Sequence, residues 1–141
     1  MKNSITAILS LLFFFSVKAQ NKDLFEKQLF VVDEDTLPCR ILTPVNFQLG
    51  KKYPLVVFLH GAGERGNDNQ AQLNWGADLF LDSLNRVKFP AIVVFPQCPA
   101  NDKWAEYNKN PNADSTGYVY TADAPMRKSL KLVAQFIDTL L

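Results

Sequence analysis

The residues with the most chemical content lie in one stretch, His60-Gly61-Ala62-Gly63-Glu64-Arg65-Gly66, which holds the only histidine of the chain. Glycines at this density let the backbone take positive φ and bring bare N–H groups close to a ligand. Directly before them, Leu55–Leu59 is an unbroken apolar run, the pattern of a strand buried on both faces in the middle of a parallel sheet. Free N–H donors at the carboxyl end of such a strand suit an anion, or the negative oxygen that develops during a reaction. The stretch carries no nucleophile of its own.

Read literally, Gly61–Gly66 also matches the glycine spacing of a dinucleotide-binding turn. That reading fails on context. The fingerprint needs a helix that opens at once with small apolar residues, and an acidic residue ending the next strand. Here Glu64-Arg65 and Asn67–Gln72 are polar, and the next strand-like run ends Val94-Phe95-Pro96-Gln97 without an acid.

The elements that must position the loop can be followed along the chain. Residues 1–19 have a positive start at Lys2, an apolar run over Ile5–Val17 and a small-x-small ending, Val17-Lys18-Ala19. This pattern is that of a secretory signal peptide, too short an apolar run to span a membrane. The expected location is secreted or periplasmic, with residues 20–141 as one domain and no membrane contact after cleavage. Gln28–Val32 and Leu37–Pro44, split by Asp33-Glu34-Asp35-Thr36, predict an antiparallel hairpin. After the glycine loop, Leu73, Ala77, Phe80, Leu81 and Leu84 recur at helical spacing and predict a helix over Gln70–Leu84, weakened by Gly76. Ala91–Phe95 predicts a second buried strand. Pro96–Ala122 is long, polar and rich in aromatics, as functional loops are. From Asp123 a final helix is predicted, with Met126, Leu130, Val133, Ile137 and Leu141 on one face. A hairpin followed by strand–helix–strand–helix is an α/β pattern with a parallel pair.

Composition narrows the functional classes. At 141 residues, with 48% apolar and 21% charged side chains, the chain is an ordinary single globular domain. Loss of a leader carrying Lys2 and Lys18 takes 15 basic side chains to 13 against 14 acidic ones. No basic run is present, which argues against a nucleic-acid partner. Cys39 and Cys98 would meet an oxidising compartment, either bridged or as two separate buried hydrophobes. Trp104 and the tyrosines of the long loop either line a substrate pocket or pack that loop onto the sheet. Glu64 and Arg65 either pair with each other or face water.

His60-Gly61-Ala62-Gly63 after its apolar strand, together with Pro96-Gln97-Cys98-Pro99 and Trp104, resembles the α/β-hydrolase superfamily. Within it the likeness is to secreted carboxylesterases related to feruloyl esterases, polyhydroxybutyrate depolymerases and predicted peptidases. The resemblance runs over nearly all of Gln28–Leu141. It implies the amino-terminal half of an α/β-hydrolase fold, strand order 1-2-4-3, with no cofactor and no metal. Ala62 and Gly63 would form the oxyanion hole, His60 and Gly61 would support its loop, and Trp104 would hold a small-molecule or carbohydrate ester.

The departures from that pattern are as informative. Past the leader the serines are Ser83, Ser115 and Ser129, none within Gly-x-Ser-x-Gly, and His60 corresponds to a loop residue, not a catalytic base. No Ser–His–acid triad can be assembled, so the resemblance implies an esterase portion that is inactive alone. A non-catalytic ligand-binding module using Gly61–Gly66 is the alternative. The same strand order leaves the third strand as an open edge, a template for self-association. It also places Cys39 near Cys98, the basis for an expected disulfide.

Overall fold

The computed structural model describes residues 21–110, 112 and 117–141, so the expected leader and Ser115 lie outside the described residues. β1 (Glu26–Val32) and β2 (Asp35–Leu42) form the expected hairpin, reversing at Asp33-Glu34 with Asp33 at φ 53°. Aspartate tolerates that left-handed turn conformation better than most residues. β4 (Ile92–Pro96) runs antiparallel to β2, and β3 (Leu55–Val57) runs parallel to β4. The order is β1-β2-β4-β3, as expected.

β4 is the hub of this sheet. Successive side chains point to opposite faces, so Val93 and Phe95 join one core and Val94 the other. The first core gathers Phe25, Leu42, Leu73, Ala77 and Leu81; the second gathers Leu37, Cys39, Leu132, Val133 and Phe136. β3 departs from expectation. Only Leu55–Val57 pair with β4, these residues are half-buried, and Leu59 is exposed, because β3 is the sheet edge.

The single helix expected over Gln70–Leu84 is three pieces: a 3₁₀ turn at Ala71–Leu73, α1 (Ala77–Leu81) and α2 (Ser83–Lys88). Gly76 breaks the run at φ +81°, and a Cβ there would lie 2.7 Å from Phe58 Cζ. Asp82 is extended between the helices, and its carboxylate accepts the Asn85 N–H at 2.9 Å, starting α2. Leu84 consequently faces outward. The long loop contains an unexpected antiparallel pair, β5 (Tyr107–Lys109) with β6 (Tyr118–Tyr120).

α3 (Lys128–Asp138) begins later than Asp123 and is rotated from the expected face. It buries Ser129, Leu132, Val133 and Phe136, whereas Met126 and Leu141 are exposed. The cause is polar: Asp102 accepts both the N–H and the Oγ–H of Ser129, drawing that side of the helix inward.

The expected disulfide is absent. Cys39 and Cys98 are buried free thiols. Cys39 lies opposite Pro96, so Cys98 is its diagonal neighbour in the extension of the ladder. Diagonal Cα pairs are about 7–8 Å apart, beyond the usual reach of a disulfide. Burial pushes the Cys39 thiol pKa up to about 12, and burial likewise raises that of Cys98.

The open edge has a direct consequence. Pro54 and Phe58 bond toward β4, and the alternation of a parallel ladder leaves the N–H and C=O groups of Leu55 and Val57 on the free side. We propose that this edge drives self-association. Sedimentation of residues 20–141 is expected to show a concentration-dependent dimer. Val57→Pro, which deletes an outward donor but no bond to β4, should return it to monomer; a wild-type monomer at all concentrations would remove the idea.

Candidate functional site

The two parallel strands end on the same side of the sheet, and the glycine loop from β3 lies against the Pro96–Cys98 exit of β4. A fully buried side chain holds them together. Gln97 Nε2 donates to Asp68 Oδ1 at 2.8 Å and to Glu64 O at 3.2 Å, while its Oε1 accepts the Asn69 N–H at 2.8 Å. The Gly66 N–H adds a bond to Cys98 O at 2.9 Å, and a Cβ at Gly66 would press on Gln97 Nε2 at 3.3 Å. Asp68 in turn accepts the N–H groups of Gln70 and Ala71. Hydrogen bonds from Ala71, Gln97 and Gln70, in that order of effect, hold the Asp68 carboxyl below its usual range.

His60 is 5% exposed, and both ring nitrogens are engaged. Nε2 accepts the Cys98 N–H at 2.9 Å, so the ring proton sits on Nδ1, which donates to Gly61 O at 2.6 Å. The tautomer is thus fixed by two backbone groups. Burial lowers the imidazole pKa, and Arg65 adds to that; the Gly61 carbonyl and Glu64 only partly offset it. His60 is a brace for the loop and presents no free nitrogen to a substrate.

Beyond Gly61, Ala62–Glu64 form one 3₁₀ turn in place of a nucleotide-binding helix. The opening N–H groups of such a turn have no internal partner, and those of Ala62 and Gly63 meet no acceptor among the described residues. Ala62 and Gly61 line a cavity of about 290 Å³, with Arg65 beside them. Gly63 is exposed and is not part of its lining.

Trp104, Tyr107, Tyr118 and Tyr120 form the opposite wall. Trp104 borders the cavity and also braces the loop, its Nε1–H donating to His60 O at 3.0 Å while the ring meets His60 edge-on at 5.2 Å. Tyr107 packs edge-on against Tyr118 and Tyr120. Arg65 neither pairs with Glu64 nor simply faces water. Its Nε donates to Ala62 O at 2.9 Å and its Nη1 to Asp102 O at 3.1 Å.

A charged cluster anchors the aromatic wall. Asp102 accepts from Arg127 and from Ser129, and Arg127 Nη1 reaches Glu106 Oε2 at 2.9 Å. Lys103 pairs with Glu106 at 2.6 Å. Burial works against the Asp102 charge, but the hydrogen bonds from Ser129 and Arg127 outweigh it and hold the carboxyl far below the usual range. Ser129 is buried in this cluster, with no histidine beside it among the described residues; Ser83 opens α2 and is exposed. Neither serine borders the cavity.

The chain is similar to a thermostable esterase. The two share 35% identity over 84% of this chain, with a TM-score of 0.65, and the chain spans 30% of that esterase's length. No protein-family model matches the chain, and no curated protein does. The likeness supports an esterase-like, α/β-hydrolase-like relationship for this mixed α/β sheet.

The sequence had pointed to His60–Gly63 and Trp104; the structure places His60, Gly61, Ala62 and Trp104 around one cavity and leaves Gly63 outside its lining. It had not pointed to the Gln97 clamp or the Arg65 bridge, because long-range side-chain bonds to backbone leave no periodic signal. Pro96-Gln97-Cys98-Pro99 was visible only as a motif.

Two measurements test the loop. Burial lowers the pKa of the folded His60 ring, so just below about pH 6.5 the unfolded imidazole takes up a proton more readily than the folded one. Stability should therefore fall as pH drops through that value, by up to about 1.4 kcal/mol per pH unit until the folded ring also titrates, and stay flat above it. Urea unfolding at pH 7.5 and 5.5 should show this loss in wild type and not in His60→Gln. Gln97→Leu strands the buried Asn69 N–H and removes bonds to the half-buried Glu64 carbonyl and the exposed Asp68 carboxylate, and should cost about 1–3 kcal/mol in the same assay.

Proposed function

We propose that this chain is the oxyanion-side portion of a secreted serine-type carboxylic ester hydrolase. The observation that carries the reading is the Ala62 N–H, without an acceptor among the described residues, beside a cavity faced by Trp104. The similarity to a thermostable esterase supports it.

In ester hydrolysis the carbonyl oxygen gains negative charge as a nucleophile adds, and a fixed N–H pointing at that oxygen stabilises the charge more than it stabilises the neutral ester. Ala62 would supply one such donor. Loss of one donor costs about 2.7–4 kcal/mol of transition-state stabilisation. The aromatic wall would hold the ester, from a small molecule or a carbohydrate, against that donor.

The nucleophile, base and orienting acid are assigned to polypeptide outside this sequence. His60 is unsuited to the base because Cys98 and Gly61 occupy its nitrogens. Ser129 is unsuited to the nucleophile because its hydroxyl is committed to Asp102. The chain alone is thus expected to turn over no ester.

Purified residues 20–141 should hydrolyse 4-nitrophenyl acetate no faster than buffer. Joined to the remainder of a similar esterase, they should gain activity, and Ala62→Pro should then lower kcat/KM about a hundredfold or more by deleting the donor N–H. Turnover by the chain alone that survives serine replacement would overturn the reading. An inactive but folded fusion that binds ester in the cavity would favour the non-catalytic module.

A further inference from the structure

We propose that Arg65 is the positioning residue that makes Ala62, and not Gly63, the donor at this site. The inference rests on the oxyanion reading above and turns on peptide geometry. Peptide units are planar, and none in the described residues is cis. In a trans unit the C=O and the following N–H point in opposite directions, so a bond that fixes a carbonyl also fixes the next N–H.

Two adjacent units are fixed in this way. Gly61 O is held by His60 Nδ1 at 2.6 Å, which turns the Ala62 N–H away from the imidazole. Ala62 O is held by Arg65 Nε at 2.9 Å, which turns the Gly63 N–H away from the guanidinium. Arg65 itself lines the cavity, as Ala62 does and Gly63 does not. Keeping the Ala62 carbonyl on the guanidinium side therefore keeps the Gly63 N–H out of the site.

The second bond of the same guanidinium, from Nη1 to Asp102 O at 3.1 Å, reaches the segment that leads into Trp104. One planar group thus fixes a peptide of the loop and ties that loop to the aromatic wall. A lysine offers one ammonium and no rigid fork.

The test is ¹⁵N relaxation of the amides in residues 20–141, which needs no turnover and so can fail separately from the ester-hydrolase reading. In wild type the Gly63 and Ala62 amides should show rigid-backbone order, about 0.85. In Arg65→Gln the Gly63 value should fall below about 0.6, with Ala62 less affected because His60 still holds its peptide. Arg65→Lys should lie between. The amide resonance of Cys98, which donates to His60 Nε2, and that of the Trp104 indole N–H, which donates to His60 O, report whether the fold is kept. Unchanged Gly63 order in both variants, with those two signals intact, would overturn the proposal. If Arg65→Gln does not fold, Arg65→Lys decides by the same criterion.

Discussion

Leaving a buried carboxamide unpaired is costly, and at Gln97 that cost sets the shape of this site. Gln97 has no contact with solvent, so its two N–H donors and its oxygen must be used inside the protein. All three go to the loop between Glu64 and Asn69. That loop has no sheet or helix of its own to satisfy its backbone groups, so the requirement is mutual. The exit of β4 and the loop after β3 are therefore held at one separation. His60 reinforces the tie from the other end of the loop through the Cys98 N–H.

The charged cluster does the same for the opposite wall. Asp102 lies between Arg65, which takes its carbonyl, and Arg127 and Ser129, which take its carboxylate. The aromatic segment is thus tied both to the glycine loop and to the start of α3. The carboxylate also sits at the amino end of that helix, where negative charge is favoured. The consequence is that the cavity walls are set by polar bonds, with apolar packing behind them.

What could be read from the sequence follows the range of the forces involved. The apolar runs of β3 and β4 and the turn at Asp33-Glu34 are local signals, and the hairpin and parallel pair were legible from them. The interrupted helix was misread because Leu73, Ala77 and Leu81 keep their spacing across Gly76, while the break depends on Phe58, far away in sequence. The face of α3 was misread for a similar reason: Ser129 looks like a solvent-facing residue until Asp102 is placed beside it. In the site, residue types indicated a loop of donors and a supporting histidine. The partners that orient them, Gln97 and Arg65, act through backbone carbonyls and N–H groups, which every residue has and no sequence pattern marks.

Gly76 has a consequence for how this protein can change over evolutionary time. Two independent conditions hold the position: a backbone at φ +81° and the Phe58 ring 2.7 Å from where a Cβ would stand. Phe58 is itself stacked on Phe95 at 4.6 Å, so it has little room to withdraw. Shrinking the ring would relieve the crowding but not the backbone strain, and a change of turn would relieve the strain but not the crowding. No single substitution meets both conditions: another residue here needs a side chain that tolerates the left-handed backbone, as Asp33 and Asn69 do elsewhere, together with a smaller side chain at position 58. A lineage carrying this fold would keep glycine here even as the cavity walls diversified around it.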